Sequence, residues 1–183
     1  MVSISGIRGV IGESLTPEVI SHFALAYGTI NKGKKIIISR DTRGSGEMVL
    51  NFVKGSLIAT GCHVIDIGVA TTPTIEVMIE KLKASGGIMV SASHNPIEWN
   101  AMKFFNHYGQ LMTADENKKL LTIYNSKKWL LADWKKIGTE HKDTTANEKH
   151  IELVLKNINY KAIKLKKFKV ALDAINGAGG EIT

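Results

Sequence analysis

Three short segments of the chain concentrate the residue types that handle phosphate: GIRGVIG at 6–12, SRDTRGSG at 39–46 and SASHNPIEWN at 91–100. The sequence contains only three arginines, Arg8, Arg40 and Arg43, against 21 lysines, and all three fall in the first two segments. A guanidinium fork matches phosphate oxygens in pairs, which an ammonium cannot do. Glycines on both sides of Arg8 would let backbone amides approach an anion closely. An equal alternative for Arg40 and Arg43 is that they pair with Asp41 and brace a loop. The third segment sets Ser93 and His94 ahead of Asn95 and Pro96, where the proline forbids further helix or central strand. A serine exposed there could act as a nucleophile. A hydrolytic dyad with His94 is not expected, because neighbours in an extended chain point to opposite sides, and the GxSxG elbow is missing. Taken alone, Ser-His-Asn-Pro also suits a loop held by its own side-chain hydrogen bonds.

These segments need a scaffold, and hydrophobic periodicity supplies one. Val19, Ile20, Phe23, Ala24, Tyr27 and Ile30 recur at helical spacing after Thr16 as N-cap and Pro17 at the first helical position, and Asn31 to Gly33 ends that helix. A buried strand is expected at Lys35 to Ser39, and a second helix from Ser45 as N-cap, with Met48, Val49, Phe52, Val53, Leu57 and Ile58 inward. Strand His63 to Ile67, helix Pro73 to Lys83 and strand Gly87 to Ala92 follow. Such alternation implies βαβ units and a mainly parallel sheet. Ala101 to Phe105 comes too soon after its predecessor for a parallel crossover, which needs about a dozen residues, so it should run antiparallel. Thr113 caps a helix to about Ser126. Residues 127–144 read as a polar, irregular linker, and a further helix after Thr145 carries Ile151, Val154, Leu155 and Ile158 on its apolar face. Phe168 to Ile175 reads as a strand and NGAGG at 176–180 as a turn.

The expected fold class is therefore α/β: a three-layer α/β/α domain with a mixed, mainly parallel sheet over residues 1–145, and the first elements of a second α/β domain over 146–183. In doubly wound sheets ligands gather where strands end at their carboxyl termini, which is where the three segments should lie.

Composition narrows the classes. With 44% hydrophobic and 7% aromatic residues, the 183-residue chain describes a globular protein rather than a disordered one. No apolar run approaches the roughly 18–20 residues of a membrane span, and the N-terminus lacks a signal-peptide layout, so a cytoplasmic protein without membrane association is expected. Cys62 has no partner for a disulfide and is expected to be buried, and no zinc-site spacing occurs. The net charge of +7 comes largely from scattered lysines, without the arginine clusters or interleaved aromatics of base contacts, so nucleic acid is not expected as a partner.

SASHNP at 91–96 resembles the active-site loop of the α-D-phosphohexomutase superfamily, which comprises phosphoglucomutases, phosphomannomutases and phosphoglucosamine mutases. GIRG at 6–9, SRDTRGSG at 39–46 and NAMKFFN at 100–106 match the same family in order and approximate spacing, and FKVALDAINGAGG at 168–180 resembles the opening of its second domain. The similarity spans nearly the whole chain and is weakest over 107–165. It implies that Ser93 is a phosphoserine passing its phosphoryl group to a hexose phosphate and recovering one from a bisphosphorylated intermediate. Arg8 and Lys103 would then neutralise charge and assist proton movement, with His94 and Asn95 in the matching loop positions. Lys103 could otherwise be an ordinary solvated strand lysine. The resemblance implies magnesium as cofactor, one ligand being the phosphate on Ser93, and a hexose bisphosphate as activator or intermediate.

Ala101 and Met102 stand where the family more often has Gly and Phe or Ile. Ser91 replaces a frequent Thr, and Trp99 is less usual. The family's aspartate-rich magnesium loop and the sugar- and phosphate-binding loops of its later domains do not occur, so a truncated fragment, inactive by itself, is expected. The competing reading is a catalytically silent α/β module that binds phosphorylated ligands or partners. The strand at 168–175 would lack its sheet neighbours and is expected to be mobile, to lie against the first domain, or to associate with a second chain.

Overall fold

A computed structural model describes residues 2–3, 6–180 and 182. Its centre is a seven-stranded sheet formed by β1 (Val2–Ser3), β2 (Gly6–Val10), β3 (Lys35–Arg40), β4 (His63–Val69), β5 (Gly86–Val90), β6 (Trp99–Phe105) and β7 (Glu140–Lys142), in the order β1-β2-β6-β5-β3-β4-β7. The β5, β3, β4 and β7 strands run parallel, whereas β6 is antiparallel to β5 and β2 antiparallel to β6. The antiparallel course expected of Ala101 to Phe105 is thus present.

Helices α1 (Pro17–Ile30), α2 (Gly46–Ala59) and α4 (Ala114–Ser126) cover one face, while α3 (Thr72–Lys81) and α5 (Ala146–Lys156) cover the other. A short α6 (Tyr160–Leu165) follows. The two-residue period of a strand divides KIIIS between the layers. Ile36 and Ile38 join Phe23, Val53 and Phe104 in the first core, whereas Ile37 joins Ile75, Met78 and Phe105 in the second.

Local chemistry fixes the helix starts. Thr16 Oγ1 accepts from Val19 N at 3.3 Å with Pro17 behind it, and Thr113 and Glu116 form a capping box. Ser45 is the N-cap residue of α2, as expected, but its side chain makes no capping bond. Its Oγ accepts from Asn100 Nδ2 at 2.9 Å, tying the start of α2 to the start of β6. Phe52, expected inside, is exposed at 38%, and Leu50 occupies the inner face instead.

GIRGV, to which the sequence assigned no element, is a strand: Arg8 pairs with Ala101, and a side chain at Gly9 would collide with Ser14 and Leu15, so this glycine serves packing. Three further expectations are corrected. The 127–144 segment contains β7, a polar edge strand beside β4. Residues 168–175 form no strand among the described residues, and Phe168, Val170 and Leu172 are exposed; a strand without a sheet partner is not stable in water. Finally, Ile151, Val154, Leu155 and Ile158 are exposed, because α5 meets the body through its first turns, where Ala146 is buried and His150 Nδ1 lies 3.0 Å from Thr74 Oγ1.

Candidate active site

The three segments meet at one end of the sheet's central strands, where β3 and β5 end, β2 ends and β6 begins. Direct bonds join them. Ile11 N donates to Glu98 O at 3.0 Å, Asp41 N donates to Val90 O at 3.0 Å, and Arg43 reaches the 93–99 backbone.

Ser93 is the first central residue of a turn closed by Asn95 N donating to Ala92 O at 3.2 Å. Its φ of +56° lies in the left-handed region, unfavourable for a residue with a Cβ by about 1–2 kcal/mol. The side chain is exposed. Because the backbone turns here, the hydroxyl and imidazole are not on opposite sides as an extended chain would place them: Ser93 Oγ and His94 Nδ1 are 3.4 Å apart, a long contact. Ser93 N donates to Ser91 Oγ at 3.2 Å. Asn95 is half-buried, and its Oδ1 has no hydrogen-bond partner among the described residues.

Arg43 braces this turn. Nη1 donates to Pro96 O at 2.6 Å and to Trp99 O at 3.1 Å, Nη2 donates to Ser93 O at 3.0 Å and Asn95 O at 2.6 Å, and Nε faces Asp41 Oδ2 at 3.4 Å. Arg40 is engaged elsewhere: its Nε and Nη2 both meet Glu47 Oε2 at 3.0 Å, and Nη1 donates to Asp41 O at 3.0 Å. Arg43 makes the pairing with Asp41 that the bracing reading described, whereas the carboxylate partner of Arg40 is Glu47.

Arg8 and Lys103 come together on the α3 side of the sheet. Burial first and the Arg8 guanidinium second pull Lys103 below the usual ammonium range, against the opposing influence of Asp41 and Glu76. Burial also raises the Glu76 carboxyl, with Lys103 resisting. Glu76 was not legible as a site neighbour, since it is one acid on an amphipathic helix and only the packing of α3 brings it there.

Among the described residues no group of three or more His, Cys, Asp or Glu side chains comes together to hold a metal ion. Asp41, the acid of the neighbouring loop, is bound to Arg43 through its side chain, with Oδ1 accepting from Arg43 N at 3.0 Å. These residues do not by themselves fit a magnesium site. No helix among the described residues is long and apolar enough to cross a membrane.

A family model described as phosphoglucomutase/phosphomannomutase, alpha/beta/alpha domain I, matches residues 2–130. A probable phosphoglucosamine mutase of Pyrococcus abyssi is 37% identical over 179 residues, covering 98% of this chain and 39% of that protein. A phosphoglucosamine mutase of Helicobacter acinonychis is 35% identical over 188 residues, covering 97% of this chain and 41% of that protein. The chain thus spans less than half the length of these curated relatives. A putative phosphomannomutase from Thermus thermophilus superposes with a TM-score of 0.76 at 26% identity, over 88% of this chain and 37% of that one. The exocytosis-sensitive phosphoprotein pp63/parafusin of Paramecium, a phosphoglucomutase in its open form, shares the fold with a TM-score of 0.78 at 18% identity, over 99% of this chain and 39% of that one. With matches extending across nearly all its residues, the chain belongs to the phosphoglucomutase/phosphomannomutase family, of which it carries the amino-terminal region.

Proposed function

We propose that this chain carries the phosphoryl-transfer serine of a phosphohexomutase, with Ser93 as the carrier. The observation that supports this most is the exposed Ser93 hydroxyl on a left-handed turn, held from behind by the Arg43 fork. A strained residue held by several strong contacts is characteristic of functional positions.

In the first half-reaction a hydroxyl oxygen of the hexose phosphate attacks the phosphorus of phospho-Ser93. The new P–O bond forms, the bond to Ser93 Oγ breaks, and the substrate hydroxyl's proton ends on the serine oxygen. The product is a hexose bisphosphate with free Ser93. In the second half-reaction Ser93 Oγ attacks the other phosphorus of that bisphosphate, its proton passes to the leaving sugar oxygen, and the phosphoserine is restored. Lys103, with its lowered pKa, gives up and regains a proton more easily than a solvated lysine, which suits it to carry the proton between the two oxygens. The Arg8 guanidinium beside it adds fixed positive charge against the charge on the transferring group. His94 flanks the hydroxyl, and Asn95 completes the turn. The substrate is a hexose phosphate, and the bisphosphate serves as intermediate and activator. The first 145 residues form the catalytic domain.

The test is phosphopeptide mapping of protein purified from cells, before and after incubation with glucose 1,6-bisphosphate. Phosphate on Ser93, transferable to a hexose monophosphate and missing in Ser93→Ala, is the expected result. Stable turnover with the label on a different residue would overturn it.

A further inference from the structure

A guanidinium has five N–H donors. In Arg43 each faces an acceptor: the carbonyls of Ser93, Asn95, Pro96 and Trp99 take the four hydrogens of Nη1 and Nη2, and Asp41 Oδ2 stands before Nε. The side chain is 13% exposed. Asp41 is oriented in turn, because its Oδ1 accepts from Arg43 N and its own N–H is tied to Val90 O at the end of β5. The brace thus runs from the strand that delivers the serine, through the neighbouring loop, and back to the serine turn. No donor of Arg43 remains for a phosphate.

The four carbonyls span residues 93–99, the stretch linking β5 to β6, and two of them flank the peptide units around Ser93 and His94. Holding these oxygens fixes the peptide planes and therefore the direction of the Ser93 Cα–Cβ bond. A lysine could not substitute, since its ammonium offers three donors from a single point.

We propose that Arg43 is a positioning residue, with Asp41 as its support: it locks the 93–99 turn so that the Ser93 hydroxyl is aimed, and it takes no part in holding phosphate. The kinetic side of this inference rests on the reading of Ser93 as phosphoryl carrier; the structural side does not.

The experiment compares Arg43→Lys, Arg43→Ala, Asp41→Asn and Ser93→Ala with wild type in the intact protein, by hydrogen exchange and by steady-state kinetics on glucose 1-phosphate and glucosamine 1-phosphate. In Arg43→Lys the amides of 93–99 should exchange at least roughly tenfold faster while β3 and β5 keep their protection. Turnover should fall about 100-fold, the scale of an ångström-level misplacement, with KM changed less than about threefold. Asp41→Asn should show the same pattern more weakly. Free guanidinium should restore part of the turnover of Arg43→Ala, where ammonium does not. A raised KM with unchanged kcat would make Arg43 a phosphate ligand and overturn the proposal, as would unchanged exchange of the turn, or global unfolding of both Arg43→Lys and Asp41→Asn. Wild-type turnover in Ser93→Ala would remove the carrier reading, and the exchange data would then decide the clamp alone.

Discussion

Arg8 lies across the β2–β6 ladder from Ala101, two residues along the same strand face from Lys103, so two cations are held close together on a partly buried surface. Such a pair stores electrostatic repulsion that folding must overcome. Active sites commonly hold such like-charge pairs.

Replacing Lys103 by Met should therefore stabilise the protein. The folded-state pKa of Lys103 is lowered, so the unfolded chain binds this proton more tightly. The cost is fully present below the folded pKa and fades as pH rises toward the unfolded value near 10.4. At pH 7 Lys103→Met should melt higher, by about 2–4 °C for each kcal/mol recovered, and the gain should shrink toward pH 10. Turnover should drop about 100- to 10,000-fold if Lys103 moves the proton. A lower melting point at pH 7 would show that its attraction to Asp41 and Glu76 outweighs burial and Arg8.

Asp143 gives the opposite pH dependence. Burial works against its charge, but Lys149 Nζ at 2.6 Å and the Thr145 hydroxyl and N–H hold its carboxyl down at about 2. A depressed folded pKa means stability present above the unfolded value near 3.9 and lost as pH falls through about 2. Asp143→Asn should cost about 1–2 kcal/mol at pH 7, measured by urea unfolding, and its difference from wild type should close between pH 4 and 2. An unchanged difference across that window would assign the effect to the hydrogen bonds to Thr145 and not to charge.

Gly86 marks where the core leaves no space. A Cβ there would fall on Tyr27 Oη and Phe105 O, which are themselves hydrogen-bonded at 2.6 Å. Tyr27 is fully buried, and burial raises its phenol well above the ordinary value, so the hydroxyl has no solvent to turn to. Gly86→Ala should cost about 2–5 kcal/mol, combining overpacking with a lost buried hydrogen bond. Tyr27→Phe should cost only about 1 kcal/mol. Equal costs for both would mean that the backbone at 86 moves freely.

Much of this arrangement was legible because local signals agreed with the global fold. The Ile36, Ile37, Ile38 run could only suit a strand covered on both faces, Thr16-Pro17 and Thr113 to Glu116 announce helix starts, and the short step from β5 to β6 forced reversal. What escaped depends on partners distant in sequence. Glu140 to Lys142 is polar throughout and becomes a strand only because the open edge of β4 offers it backbone bonds. Ser45 has the residue type of a cap, yet Asn100 takes its hydroxyl. The glycines beside Arg8 resemble a phosphate cradle in sequence, but Gly6 and Gly9 are small because Met102 O and the 14–15 turn press against them. In Arg43 the residue type was informative but left bracing and phosphate binding open, since the four carbonyls that fill its fork lie 50 or more positions away.

The left-handed turn at Ser93 separates strain from chemistry. At φ +56° any residue with a Cβ is penalised by about 1–2 kcal/mol, whereas glycine is not. Glycine also gains freedom in the unfolded chain, which offsets about 0.4–1 kcal/mol. Ser93→Gly should therefore be more stable than Ser93→Ala by up to about 1 kcal/mol, although both lose the hydroxyl and any phosphate it carries. Urea unfolding of the two variants side by side reads this difference, and hydrogen exchange of 93–99 should remain slow in both, because the Arg43 contacts are to backbone oxygens and survive the substitution. If Ser93→Gly were instead the less stable of the two, the turn would not be held in its left-handed form in solution, and the aim of the Ser93 hydroxyl would have to come from the bound phosphate and not from the protein.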